Sequence, residues 1–182
     1  NIRFWVAHNA EGVMLQGGYQ GPAERDEMKS WVTAKLLWNP AWDENALALD
    51  FIRGHYGKAA PAMEEYEALL AKMRKDYAKV MDAPPGGIRY PMDAPFFSLD
   101  FVVKATQIFT RARQLALGDD ALVRRVERAK LPLLYVKCVR GPEFFADDFP
   151  RVVGAFERIA KENKVQFLQE GPADFESKLT GF

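Results

Sequence analysis

Apolar positions recur at three- and four-residue steps along most of this chain, and that spacing predicts amphipathic helices. Between residues 58 and 82, Met63, Tyr66, Leu69, Leu70, Met73, Tyr77 and Val80 fall on one face. The opposite face mixes Glu64, Glu65 and Glu67 with Lys72, Arg74, Lys75 and Lys79, a solvated face rich in ion pairs. An earlier helix is expected over 23–38, carrying Met28, Trp31, Val32, Leu36, Leu37 and Trp38, with Pro40 as its stop. Asp43 suits the N-cap of the next helix, which buries Leu47, Leu49, Phe51 and Ile52 and ends at Arg53-Gly54. His55-Tyr56-Gly57 then reads as a corner. Further on, Ser98 caps a helix over 99–117 stopped by Gly118, and Asp119-Asp120 begin one over 121–140. Pro132 should kink or split that helix, because it lacks a backbone donor. Pro150, in a first turn, leads a last long helix through Lys161.

A few stretches break this pattern. Ile2 to Ala10 reads as the end of a helix with Asn9 near its C-cap. Gly12-Val13-Met14-Leu15 is a continuous apolar run between polar neighbours, as expected of a buried strand of a parallel sheet. Gly17-Gly18 and Gly21-Pro22 break the chain around Tyr19. Residues 83–97, which include Arg89 and Tyr90, form a long loop. Residues 165–168 suit a short strand and 174–179 a final helical turn or two. The fold class is therefore mainly α: antiparallel helices preceded by one βα unit. The organisation divides into residues 1–57, holding the βα unit, and a helical domain over 58–182.

Composition narrows the function. The 182 residues are 48% hydrophobic and 27% charged, which suits a globular chain. Twenty-five basic residues balance 25 acidic ones, so no electrostatic argument favours nucleic acid or an anionic membrane surface. No apolar run is long enough to span a bilayer. Cys138 is the single cysteine, which excludes an internal disulfide and a cysteine-based zinc site, and its apolar context makes it a core residue. His8 and His55 lack a second histidine or carboxylate at ligand spacing, so no metal site or cofactor is expected. The chain opens Asn1-Ile2-Arg3, inside a helical pattern, and is expected to continue something larger.

Three motifs sharpen this reading: Gly12-Val13-Met14-Leu15-Gln16-Gly17-Gly18-Tyr19, Ala34-Lys35-Leu36-Leu37-Trp38-Asn39-Pro40 and Phe51-Ile52-Arg53-Gly54-His55-Tyr56-Gly57. Together they resemble the bacterial family known as domain of unknown function 4838, part of which is classed as glycoside hydrolase family 163. The resemblance covers about the first third of the chain. It implies a glycan-acting enzyme with a (β/α) barrel whose last strand is Gly12–Leu15, located outside the cytoplasm: secreted, periplasmic or on the cell surface. It also implies an upstream barrel domain and a glycan as partners. His55 stands where many relatives carry an aromatic residue. A whole barrel needs roughly 250 residues, so the acid/base pair of hydrolysis is expected on earlier strands, and no catalytic residue is assigned within this chain.

The substrate-binding candidates are Gln16, Tyr19, Trp42 and His55. Gln16 and Tyr19 follow the strand, where side chains reach an active-site mouth; otherwise Gln16 caps a strand end and Tyr19 packs on a helix. An amide suits sugar hydroxyls, as both donor and acceptor. Trp31 and Trp38 share one helix face and read as a core stripe, whereas Trp42, after Pro40, is the exception able to stack on a sugar. Two functions stay open. One is the C-terminal portion of a glycoside hydrolase of complex glycans. The other is a non-catalytic helical module for packing or protein interaction. Exposure of residues 12–15 favours the first; burial within the chain favours the second.

Overall fold

The computed structural model describes residues 2–15, 25–80, 96–144 and 148–165. Its helices follow the apolar pattern: α1 (Ile2–Ala7), α2 (Asp26–Trp38), α3 (Glu44–Tyr56), α4 (Ala60–Val80), α5 (Leu99–Ala116), α6 (Asp120–Phe144) and α7 (Phe149–Glu162). A single 3-10 turn, Gly57–Ala59, joins α3 to α4. From α2 onward, each helix packs on the next in the chain, and α3 also touches α6.

The helix ends carry the expected chemistry. Asp43 accepts from the backbone N–H groups of Asn45 and Ala46, both at 2.8 Å. Ser98 Oγ accepts from Phe101 N–H at 3.2 Å, and Pro150 sits in the first turn of α7. Such caps satisfy donors that the first helical turn leaves without partners. Asn9, at φ 55°, closes α1: Ala10 N–H donates to Trp5 O and Asn9 N–H to Val6 O. That pairing is a Schellman motif. Gly118, at φ 84°, takes the left-handed conformation that lets α5 stop and α6 begin.

Two boundaries differ from expectation. α3 runs on through His55 and Tyr56, and Gly57, at φ 44°, makes the turn instead of Gly54. His55 and Tyr56 are thereby held on a helix. α6 passes through Pro132 without splitting and extends to Phe144. Leu131, Leu133 and Leu134 are all buried, so packing on both sides offsets the lost backbone bond.

α5 is the centre of the body. Phe101, Val102, Ala105, Ile108, Phe109, Ala112 and Ala116 are buried along it. They share one core with Met63, Tyr66 and Leu70 of α4 and with Leu122, Val126, Leu133 and Val136 of α6. The Phe109 ring lies 4.7 Å from that of Tyr66. Met28 of α2 and Ile52 of α3 join the same core, so residues on both sides of Gly57 pack together. A second cluster sets Leu131, Leu134 and Cys138 against Val152, Phe156 and Ile159 of α7. Burial raises the Cys138 thiol to about 12, so it behaves as a small apolar core residue.

The expected strand does not form among the described residues. Residues 12–15 have no regular structure, and no described strand pairs with them. An isolated strand leaves its backbone donors and acceptors without a ladder. The side chains of Val13, Met14 and Leu15 are 41%, 88% and 47% exposed. Residues 166–168, 174–179 and the loop residues Arg89 and Tyr90 lie outside the described residues.

Phe109→Ala should lower unfolding free energy by about 3–5 kcal/mol, since it empties the α4–α5 contact. Val103→Ala, on the exposed side of α5, should cost under about 1 kcal/mol. Denaturant unfolding of the two variants checks the contrast.

Candidate functional site

A cavity of about 50 Å³ lies between the start of α2, the end of α3, and the flanks of α4 and α6. Met28, Ile52 and Met63 give it an apolar floor, and Arg25, Glu67, Arg125 and Arg128 line its polar side. Arg25 precedes α2 in the left-handed region, at φ 57°, a conformation uncommon for a residue with a side chain. Its Nη1 donates to Glu67 Oε2 of α4 at 2.5 Å, which fixes the side chain across the cavity. Arg25 Nε is buried and has no hydrogen-bond partner.

A second set of charges crosses beside this cavity. Glu27 of α2 receives Arg128 of α6 at 3.0 Å and faces His55 Nε2 of α3 at 3.6 Å. Arg125 donates to the backbone carbonyl of His55 at 3.0 Å. Burial holds the His55 imidazole below its ordinary value; Glu27 opposes this shift, while Arg125 and Arg128 reinforce it. Burial likewise pushes the Tyr56 phenol up to about 12, aided by Glu27 and Glu67. At neutral pH His55 and Tyr56 are therefore uncharged, and the charges around them belong to arginines and carboxylates.

Of the four predicted site residues, Trp42 and His55 are described, and these two lie apart. Gln16 and Tyr19 lie outside the described residues. Trp42 stands in the α2–α3 turn, 39% exposed. His55 is near the far end of α3, whose length separates the two by on the order of 18 Å. A file of rings runs between them. Lys35 Nζ lies 5.2 Å from the Trp31 ring and 5.7 Å from the Trp42 ring. Trp31 meets Phe51 at 5.9 Å, and Phe51 stacks on His55 at 4.9 Å. Trp42 is thus available to a ligand, while His55 is largely committed to packing.

Other expectations need revision. Trp38 is 85% exposed and is no core residue. Two helical turns, about 10 Å, separate it from Trp31, beyond the ring of Phe51 that covers Trp31. Glu64, Glu65 and Glu67 do not simply face water. They pair with Arg53, Arg111 and Arg25, tying α4 to α3, to α5 and to the start of α2. His8 stacks on Phe4 at 4.0 Å and its Nδ1 lies 2.8 Å from the Phe4 carbonyl, a local role. Among the described residues no group of His, Cys, Asp and Glu could hold a metal ion, and no helix is long and apolar enough to cross a membrane.

A second, open groove of about 310 Å³ lies between α1 and the α2–α3 turn. Ile2, Trp5, Leu15 and Leu36 line it, and Thr33 and Glu44 stand at its edge. Arg3 anchors α1 beside it by donating to the carbonyls of Pro40 at 2.9 Å and Trp42 at 2.8 Å.

These features define a mainly helical protein with an arginine-lined cavity and exposed apolar residues near its N-terminus. The family model described as Domain of unknown function (DUF4838) matches residues 1–68. Residues 1–68 are thus similar to this domain, and the matched stretch contains all three motifs. No curated protein and no solved structure matches the chain.

The arginine-lined cavity escaped the sequence reading because its walls are far apart in the chain. Arg25 and Glu67 alone are separated by 42 positions. The one signal in the sequence was the cluster of glutamates on α4, whose arginine partners only the fold reveals.

His55 should make stability depend on pH. Its folded value lies below the ordinary 6.5, so between the two values the unfolded chain holds more protons. Its contribution is full above about 6.5 and is lost as pH falls through the folded value. Thermal melts of His55→Gln across that range should fall less steeply on acidification than those of the parent chain. Parallel curves would remove His55 from the account.

Proposed function

We propose that this chain is the C-terminal helical portion of a glycoside hydrolase acting on complex glycans. In this reading it borders the active site and does not contain the catalytic acid and base. The observation that carries the proposal is the position of the exposed apolar residues. Phe4, Val6, Val13, Met14, Leu15, Leu37, Trp38 and Trp42 are all exposed, and all lie within the segment matching the family. α2 is apolar on two sides: Met28 and Leu36 are buried, while Leu37 and Trp38 face outward. Leu99, Val103, Leu115, Leu117 and Val139 are also exposed, but singly along α5 and α6 and the turn between them; eight exposed apolar residues between positions 4 and 42 support a contact with another protein surface.

A barrel is the partner that suits this face. Val13-Met14-Leu15 supplies the short apolar run of a central parallel strand, and α2 is the helix that follows. Pairing with a neighbouring strand satisfies the backbone of 12–15, and the outer face of α2 then packs against the barrel. Gln16 and Tyr19 come directly after the strand and so reach the barrel's C-terminal mouth, where glycan contacts are made. The acid/base carboxylates belong to other strands.

The competing reading is a non-catalytic helical packing module. The continuous cores of α4–α7 favour it, since that body is well packed without help from residues 2–15.

Two substitutions separate the readings. Met14→Glu should be nearly neutral in the 182-residue chain, where Met14 is 88% exposed. In the barrel-bearing protein it should destabilise by several kcal/mol, because it buries a charge. Gln16→Ala in that protein should impair glycan release while leaving the melting temperature nearly unchanged. A harmless Met14→Glu in the longer protein would reject the barrel contact. Unaltered turnover in Gln16→Ala would reject the pocket-edge role.

A further inference from the structure

Away from that cavity, and outside residues 1–68, positive charge gathers along the seam where α6 lies between α5 and α7. Lys130 and Lys137 stand about two turns apart on one flank of α6, and Arg151 and Arg158 about two turns apart on α7. Glu127 of α6 ties the three helices together. Its Oε1 receives Arg113 Nε of α5 at 3.2 Å and Arg158 Nη2 of α7 at 3.5 Å. Glu127 is 13% exposed, so two guanidinium groups close over a single carboxylate. Arg158 also meets Glu162, and Arg151 meets Asp148. Among the described residues the seam thus sets five cations against three carboxylates, an excess of two positive charges.

Lys130 carries this excess. It is partly buried, three residues from Glu127, and among the described residues no ion pair or hydrogen bond reaches its ammonium. The charges acting on it are those of Lys137, Arg113 and Arg151, against Glu127 alone. A cation partly withdrawn from water among other cations is unfavourable until an anion joins it. Arg113 supplies reachable donors: its side chain is 54% exposed, and only its Nε is engaged by Glu127. The open donors of Arg113 and Lys130 come from different helices and approach from different directions. A flat carboxylate carries one charge and offers acceptors in one plane, whereas a tetrahedral oxyanion offers acceptors on several sides and close to two charges. We propose that this seam is a binding site for a tetrahedral dianion, phosphate or sulfate, held by Arg113 Nη and Lys130 Nζ. Glu127, fixed between Arg113 and Arg158, orients the Arg113 guanidinium before the anion arrives. All of these residues lie beyond the stretch that matches the family, so the site stands apart from the barrel contact and does not depend on it.

The test uses the 182-residue chain at a fixed ionic strength set with chloride, so that screening stays constant. Inorganic phosphate and inorganic sulfate are titrated in, and backbone amide resonances are followed. Both should give saturable shifts along the α5–α6–α7 seam, with dissociation roughly in the millimolar range, and both should raise the melting temperature. Acetate, at the same ionic strength, should bind more weakly. Arg113→Gln and Lys130→Met should each weaken phosphate binding on the order of tenfold. Neither should lower the melting temperature measured without phosphate, because Arg113 is exposed and Lys130 leaves a partly buried cation behind no partner. Arg74→Gln, which removes an exposed charge on α4, should leave binding unchanged. Methyl phosphate separates the two sources of this anion: binding as tight as phosphate indicates an esterified group, and weaker binding indicates the free ion. No saturable response to phosphate or sulfate would overturn the site. Equal weakening by Arg74→Gln would reduce it to general surface charge, and acetate binding as tightly as phosphate would overturn the dianion assignment. Phosphate binding undiminished in both Arg113→Gln and Lys130→Met would remove these residues as its donors.

Discussion

Close approach of α4 and α5 is the constraint on which the rest of this molecule depends. It is made possible by small side chains: Ala59 in the turn before α4, Ala60 and Ala62 at the start of α4, and Ala105, Ala112 and Ala116 along α5, all buried. With only methyl groups at these positions, the rings of Tyr66 and Phe109 meet tilted at 59°, 4.7 Å apart, in the core the two helices share. α6 then covers the other flank of α5, and α7 covers α6 through a separate apolar cluster. Each layer presents the surface on which the next is laid, and a larger side chain at any of these alanines would push α4 from α5 and move everything attached to them.

The α2–α3 hairpin is attached to this body in a different way. Only Met28 and Ile52 enter the main core as buried residues, Val32, Ala48, Phe51 and Tyr56 pack against it partly buried, and polar contacts add to these. Arg25 reaches Glu67 on α4, Glu27 reaches Arg128 on α6, and Arg125 reaches the carbonyl of His55. Partly exposed pairs of this kind contribute little stability each, but they set direction. Between the hairpin and the body they leave a small polar cavity. It lies at a junction between packed units, where binding sites commonly occur.

How much of this was legible in the sequence follows from the range of each interaction. Caps are local, so Asp43, Ser98 and Pro150 announced their helices, and a period-3.6 stripe predicted α4. Helix continuity was less legible where a local rule met distant packing. Pro132 and Gly54 both looked like breaks, yet α6 and α3 run through them, because burial on α6 and the turn at Gly57 decide the outcome. Face assignment failed where a helix has two apolar sides: nothing in the spacing of Trp31 and Trp38 says which of them Phe51 will cover. The candidate site was the least legible part, since its arginines and glutamates meet only through tertiary structure. Gln16 and Tyr19, named from the motif alone, lie outside the described residues, while Trp42 and His55 sit at opposite ends of α3.

The two apolar environments of α2 connect these points. A helix buried on one side only is complete once it lies on its own body. α2 keeps Leu37 and Trp38 outward after Met28 and Leu36 have been buried, and the exposed run of Val13, Met14 and Leu15 precedes it in the chain. A helix at the outside of a barrel has this requirement, because it must pack on the sheet with one face while its other neighbours cover the rest. α2 meets the helical body through the face that carries Met28 and leaves Leu37 and Trp38, at its far end, exposed. Its first residues, Asp26 to Met28, line the polar cavity together with Arg25. The polar cavity and the exposed apolar residues thus belong to the same helix, one at its start and the other at its end, and in the proposed arrangement it is this helix that would join the helical body to a barrel.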